Sequence, residues 1–108
     1  MKKFFFNGLR CLLSAFLLSG VFGCQTGAMP VDEYAMARAA LDAARDVQAP
    51  RLSPGFWHQA EEAYRKAQLL YRDSRWDESR IEFLKAKQAA EKAENSARLN
   101  RQRTGDIL

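Results

Sequence analysis

Few side chains in this 108-residue sequence have the types and spacing that catalysis or ligation requires. His58 is the single histidine and sits beside Trp57. A lone histidine with no cysteine near it is expected to pack or cap rather than hold a metal. Glu78 and Glu82 are one helical turn apart, the spacing that places two carboxylates on one face for general acid–base work. Alanine-rich solvated helices produce such pairs by chance, so a wet helix face is the expected reading. Ser14, Ser19, Ser53, Ser74, Ser79 and Ser96 have no recognisable base partner, and no glycine-rich phosphate loop is present. Trp57, Tyr64, Tyr71, Trp76 and Phe83 would suit a stacking platform, but their seven-residue steps place them in a core first. No enzyme activity, metal or soluble cofactor is expected.

The remaining chemistry belongs to thiols, Cys11 and Cys24. Cys24 closes an apolar run, Leu12 to Cys24, that follows Lys2, Lys3 and Arg10, and a small residue, Gly23, directly precedes it. A basic lead, an apolar middle and a small residue at the end make the layout of a secretory signal peptide. Val21-Phe22-Gly23-Cys24 resembles a bacterial lipobox, with Phe22 standing where a small residue is usual. The resemblance implies cleavage after Gly23, a diacylglycerol thioether on Cys24 and an acyl chain on its freed amine, so residues 1–23 would be removed. Two other readings remain open. One is an uncleaved anchor over Phe4–Phe22, against which a central Arg10 weighs about 2.5–3.5 kcal/mol on insertion scales. The other is a buried core helix.

The formal charge of +4 depends on that segment, because Lys2, Lys3 and Arg10 are three of 17 basic residues and all 13 acidic residues lie beyond it. Residues 24–108 are thus close to neutral, which argues against a nucleic-acid binder. The one basic cluster, Arg98, Arg101 and Arg103, favours a helix C-terminus or an anionic lipid or polymer. Cleavage would also leave no disulfide, and residues 24–108 permit one small domain of modest stability.

The elements that must position these residues are helical. Residues 24–31 read as a flexible tether, and Gln25 in place of Asp favours the outer membrane over the inner, by resemblance to Gram-negative lipoproteins. The first helix is predicted over about 32–47, with Tyr34, Ala37, Leu41, Ala44 and Val47 on one face. Pro50 and Pro54 make Gln48 to Ser53 a connection. The second helix is predicted over 54–72, with Ser53 as N-cap and Pro54 at its first position. Trp57, Tyr64 and Tyr71 form its seam with Ala60 and Ala67, and Phe56, Ala63 and Leu70 widen it. Glu61 to Arg65 and Glu62 to Lys66 are i,i+4 pairs on its wet side. A break at Asp73-Ser74, with Ser74 as N-cap, leads to a third helix over about 75–101. Its seam is Trp76, Phe83, Ala90 and Ala97, flanked by Ser79, Ala86 and Ala93. Its last two turns are expected to run past the cover of the other helices, and residues 104–108 to fray.

The second and third helices resemble a tetratricopeptide hairpin. Ala67 and Leu70 precede the turn, and Trp76, Ser79, Phe83 and Ala86 follow the repeat's second-helix pattern. Ala63 stands where the repeat has a tryptophan, and no proline follows Ala86. Residues 32–103 also resemble a family of short bacterial envelope lipoproteins with an uncharacterised helical domain, through Pro54-Gly55-Phe56-Trp57, Ala60-Glu61-Glu62-Ala63-Tyr64, Phe83-Leu84-Lys85-Ala86 and Ala93-Glu94-Asn95. That resemblance implies an all-α, three-helix antiparallel bundle held on a membrane through Cys24, facing the periplasm. It implies no activity. The expected role is a non-enzymatic structural or protein-interaction module. It would meet an envelope partner or a second copy of itself through an exposed strip at Ile81, Leu84 and Leu99. The alternative is a non-covalent peptidoglycan spacer using Arg98, Arg101 and Arg103.

Overall fold

The computed structural model describes residues 27–105, and these are all-α. The signal segment, Gly23, Cys24 and Gln25 lie outside the described residues, as do residues 106–108. Helix α1 spans Val31–Asp46, α2 Ala49–Leu52, α3 Pro54–Arg72 and α4 Trp76–Thr104. Four helical segments therefore stand where three were expected.

Helix α1 begins at Pro30, whose carbonyl accepts the amide of Tyr34 at 3.1 Å, and carries Asp32 and Glu33 in its first turn, where the helix dipole favours negative charge. Beyond Val47 the chain turns through Gln48 at φ 61°, a left-handed conformation that ends the helix. The expected open connection from Gln48 to Ser53 instead contains α2, a single turn. Pro50 both stops α1 and sits in the first turn of α2, where its missing N–H leaves no bond unmade. Ser53 precedes α3 as expected and its carbonyl accepts Trp57 N–H at 3.0 Å, but its buried hydroxyl makes no capping bond.

The break between α3 and α4 differs in a more instructive way. Ser74 is not the N-cap of α4; that position is Arg75. Ser74 adopts φ 59° just past α3, its amide donating to the Tyr71 carbonyl (3.1 Å) while Arg75 N–H donates to that of Leu70 (3.0 Å). These two bonds make a Schellman cap, with serine in the place glycine usually takes. At the far end α4 continues to Thr104 and stops at Gly105, left-handed at φ 71°, so the expected fraying from 104 does not begin there.

Side-chain contacts fix the helix directions. Ser79 Oγ donates to the Ala67 carbonyl at 2.9 Å near the α3–α4 turn, and Asn100 Nδ2 donates to the Leu52 carbonyl at 2.7 Å at the other end, so α3 runs counter to α4. Glu33 meets Arg80 and the Val47 carbonyl meets Arg101, both at 3.0 Å, so α1 runs along α4 in the same sense. The predicted seam of α4 is buried at Ser79, Phe83, Ala86, Ala90, Ala93 and Ala97. The expectation that its last turns lack cover is overturned, because α2 and the end of α1 receive Asn100 and Arg101 through free carbonyls. Phe56 departs from the expected face: it is exposed, while its heptad neighbour Leu70 is buried.

Candidate functional site

The catalytic candidates do not converge. His58 is exposed at the start of α3. Glu78 is exposed and pairs with Arg75, whereas Glu82, one turn on, is only 8 % exposed and accepts from both Lys66 Nζ and Lys85 Nζ at 3.0 Å. Burial pushes the Glu82 carboxyl up, and the two lysine hydrogen bonds more than offset this, so it lies below its ordinary value. Lys66, expected to pair along its own helix with Glu62, is thus used to join α3 to α4.

The interaction candidates are exposed but do not form one strip. Ile81, Leu84 and Leu99 all face solvent. Fifteen residues separate Leu84 from Leu99, roughly 22 Å along the axis, and Gln88, Lys92 and Asn95 occupy the same helix face between them. Leu99 instead borders a shallow groove with Phe56, Lys92, Asn95 and Arg103. The basic cluster is dispersed too. Arg98 is paired with Glu94 at 2.8 Å, Arg101 holds the Val47 carbonyl, and Arg103 lines the groove.

What the structure does bring together is aromatic. Tyr34 of α1, Tyr71 of α3 and Trp76 and Phe83 of α4 line a cleft of about 650 Å³ with Gln68, Arg72 and Ser74. Trp76 meets the edge of Tyr71 at 5.1 Å, and Phe83 is contacted by Tyr34 (5.4 Å), Tyr64 (5.7 Å) and Tyr71 (6.3 Å). Only Phe83 of this group is fully buried; the three tyrosines and Trp76 are half-buried. The reading of these rings as core therefore holds for Phe83 and for Trp57, which is covered by the Arg45 guanidinium 5.2 Å from its ring centre, but the cleft rings keep one side open. Burial raises the Tyr64 phenol above its ordinary pKa, as does its hydrogen bond with Tyr34.

Beside this cleft the chain enters the fold. Residues 27–30 were expected to belong to a flexible tether, yet they are held down. Pro30 is fully buried, the Ala28 carbonyl accepts Arg80 Nη2 at 2.7 Å, and Gly27 lies against the Asp77 carboxylate, which would have to shift to admit a Cβ. Arg80 is the centre of this fastening, since it also pairs with Glu33 and Asp77, each at 3.0 Å. Nothing in the local pattern around Gly27 announced it, because the partner lies some fifty residues away in sequence.

No described helix is long and apolar enough to cross a membrane, and among the described residues no group of three or more His, Cys, Asp or Glu gathers in a way that could hold a metal ion. No protein-family model, curated protein or solved structure matches the chain.

Proposed function

We propose that this chain is an envelope lipoprotein, anchored by a diacylglycerol and an N-acyl chain on Cys24, whose helical domain serves as a non-enzymatic structural or protein-interaction module. The observation that carries the reading is the lipobox-like Val21-Phe22-Gly23-Cys24 behind an apolar run with a basic lead. More than one acyl chain is enough for stable anchoring where a single chain is not. Gln25 directs the proposal to the outer membrane, facing the periplasm, with the inner membrane as the alternative. The domain itself is read as a three-helix antiparallel bundle, with α2 as an added turn and α3–α4 as a tetratricopeptide-like hairpin. Burial of Ser79, Phe83 and Ala86 and the Ser79 bond to the Ala67 carbonyl support that likeness. A single such hairpin lacks the stacked neighbours that build a solenoid groove. An envelope protein or a second copy would then meet the exposed face around Phe56 and Leu99. The peptidoglycan reading retains only Arg103 of its three arginines, because Arg98 and Arg101 are engaged within the fold.

Mass spectrometry of the mature N-terminus tests the anchor directly. The expected species begins at Cys24 and carries the mass of a diacylglycerol plus an amide-linked acyl chain. An unmodified polypeptide beginning at Met1 in the soluble fraction would overturn the reading.

A further inference from the structure

The fastening of residues 27–30 limits where a lipid on Cys24 can lie relative to the bundle. Three peptide steps separate Cys24 from Gly27, so their Cα atoms are at most about 11 Å apart. Gly27 and Ala28 in turn are held against Asp77 and Arg80 in the first turns of α4. A lipid attached there brings one particular end of the bundle to the bilayer: the first turn of α1, the α3–α4 turn and the start of α4. That end carries the open aromatic cleft of Tyr34, Tyr71 and Trp76, and next to it exposed Met29, Val31 and Leu69.

We propose that this aromatic end is a membrane-facing surface, with the cleft seated on the phospholipid headgroups of the leaflet that holds the Cys24 lipid. Half-buried Trp and Tyr rings with a polar edge suit the headgroup level of a bilayer, where one side is apolar and the other wet. The attraction is not electrostatic at root. Arg75 is paired with Glu78, and Arg80 with Glu33 and Asp77, which leaves Arg72 as the cation lining the cleft. The contact is therefore expected to persist in zwitterionic lipid and at high salt. The opposite end, with Trp57, Asn100 and Gly105, then points into the aqueous space and is free for a protein partner. This inference rests on the lipid-anchor reading above.

The two tryptophans of the chain make a built-in ruler, since Trp57 and Trp76 lie about 20 Å apart along the bundle. Full-length protein is purified from membranes, its N-terminal lipid is verified by mass, and it is reconstituted into phosphatidylcholine vesicles brominated near the top of the acyl chains. Bromine is expected to quench roughly half of the wild-type tryptophan emission, since one of two indoles would sit at headgroup depth. Trp76→Phe, which keeps Trp57, is expected to lose almost none, and 1 M salt should change neither result. Lipidated, vesicle-bound wild type that is quenched no more than Trp76→Phe would overturn the proposal and leave the anchor standing. A chain without lipid, seen by mass before any fluorescence is read, removes the anchor itself and this inference with it.

Discussion

The two ends of the bundle are built from different materials. Around Ala37, Ala67, Phe83 and Ala86 the space is filled by large rings, with Tyr34, Tyr64 and Tyr71 packed on one buried phenylalanine. Around Ala44, Ala49, Ala60, Ala90, Ala93 and Ala97 it is filled mostly by methyl groups, with Leu41, Val47 and Trp57 as the larger members. Rings keep helices apart and leave a cleft where they do not meet, whereas alanines let the backbones approach closely. Polar side chains clamp the alanine end shut on free carbonyls, Asn100 on Leu52 and Arg101 on Val47. One helix can therefore present an open, ring-lined surface at its start and a tight seam at its finish.

If that contrast is right, the two ends should break in opposite ways. Removing volume should hurt the aromatic end most. Phe83→Ala is expected to destabilise by about 3–5 kcal/mol, comparable with the whole stability of a domain this small. Urea denaturation should find the variant largely unfolded in buffer, and a midpoint within experimental error of wild type would show that the ring cluster is not a core. Adding volume should hurt the alanine end. Ala90→Leu is expected to destabilise by about 1–3 kcal/mol through overpacking between α1, α3 and α4, measured the same way, and a neutral result would mean that the seam is loose.

Ionisation sharpens the comparison, because the carboxylate and the phenol with shifted values both belong to the aromatic half. Glu82 has its folded value depressed, so its contribution is complete above the ordinary carboxylate pKa and is lost as pH falls through the lower folded value. Tyr64 has its folded value raised, so its contribution is complete below about pH 10 and is lost as pH rises toward the folded value. Glu82→Gln is expected to lower stability by about 1 kcal/mol at neutral pH and to flatten the acid limb of a stability–pH curve. An unchanged acid limb would show that Lys66 and Lys85 interact too weakly, through solvent, to matter.

The helices and the buried faces of α1 and α4 could be read from the sequence because both depend on local periodicity. Tyr34, Ala37, Leu41 and Ala44 recur at helical spacing, and the α4 seam from Ser79 to Ala97 follows the heptad. What escaped were features settled by distant partners or by competing local rules. Pro50 signals both a stop and a first turn, and only burial of Ala49 decides that α2 forms. Phe56 has the spacing of a core residue, but at the start of α3 it borders an open groove beside α4 and stays exposed. Gly27 to Pro30 look like a free tether until Arg80 arrives. The aromatic cleft was legible as a set of rings but not as an opening, since heptad spacing reports which side chains share a face and says nothing of whether the face is closed. The scattering of Arg98, Arg101 and Arg103 likewise follows from their helical angles and from carbonyls that only the folded chain supplies.

Ser74 gives the smallest and most discriminating test. Serine after Asp73, with Asp77 three residues on, matches an N-cap pattern, but the residue closes α3 in the left-handed region instead. A non-glycine residue there costs on the order of 1 kcal/mol, and among the described residues the Ser74 hydroxyl has no hydrogen-bond partner that would offset it. Ser74→Gly is expected to raise stability by about 0.5–1 kcal/mol, with the added conformational entropy of the unfolded chain outweighed by relief of the strain. At the other end Gln48 is equally left-handed, but its side-chain oxygen accepts from Arg51 Nε at 3.1 Å and Nη2 at 2.6 Å. Gln48→Gly relieves the same strain and loses those exposed bonds, so its gain should be smaller. Parallel thermal melts separate the two: a Ser74→Gly gain no larger than that of Gln48→Gly would mean that backbone strain alone sets the gain at both caps and that the Gln48–Arg51 bonds contribute nothing.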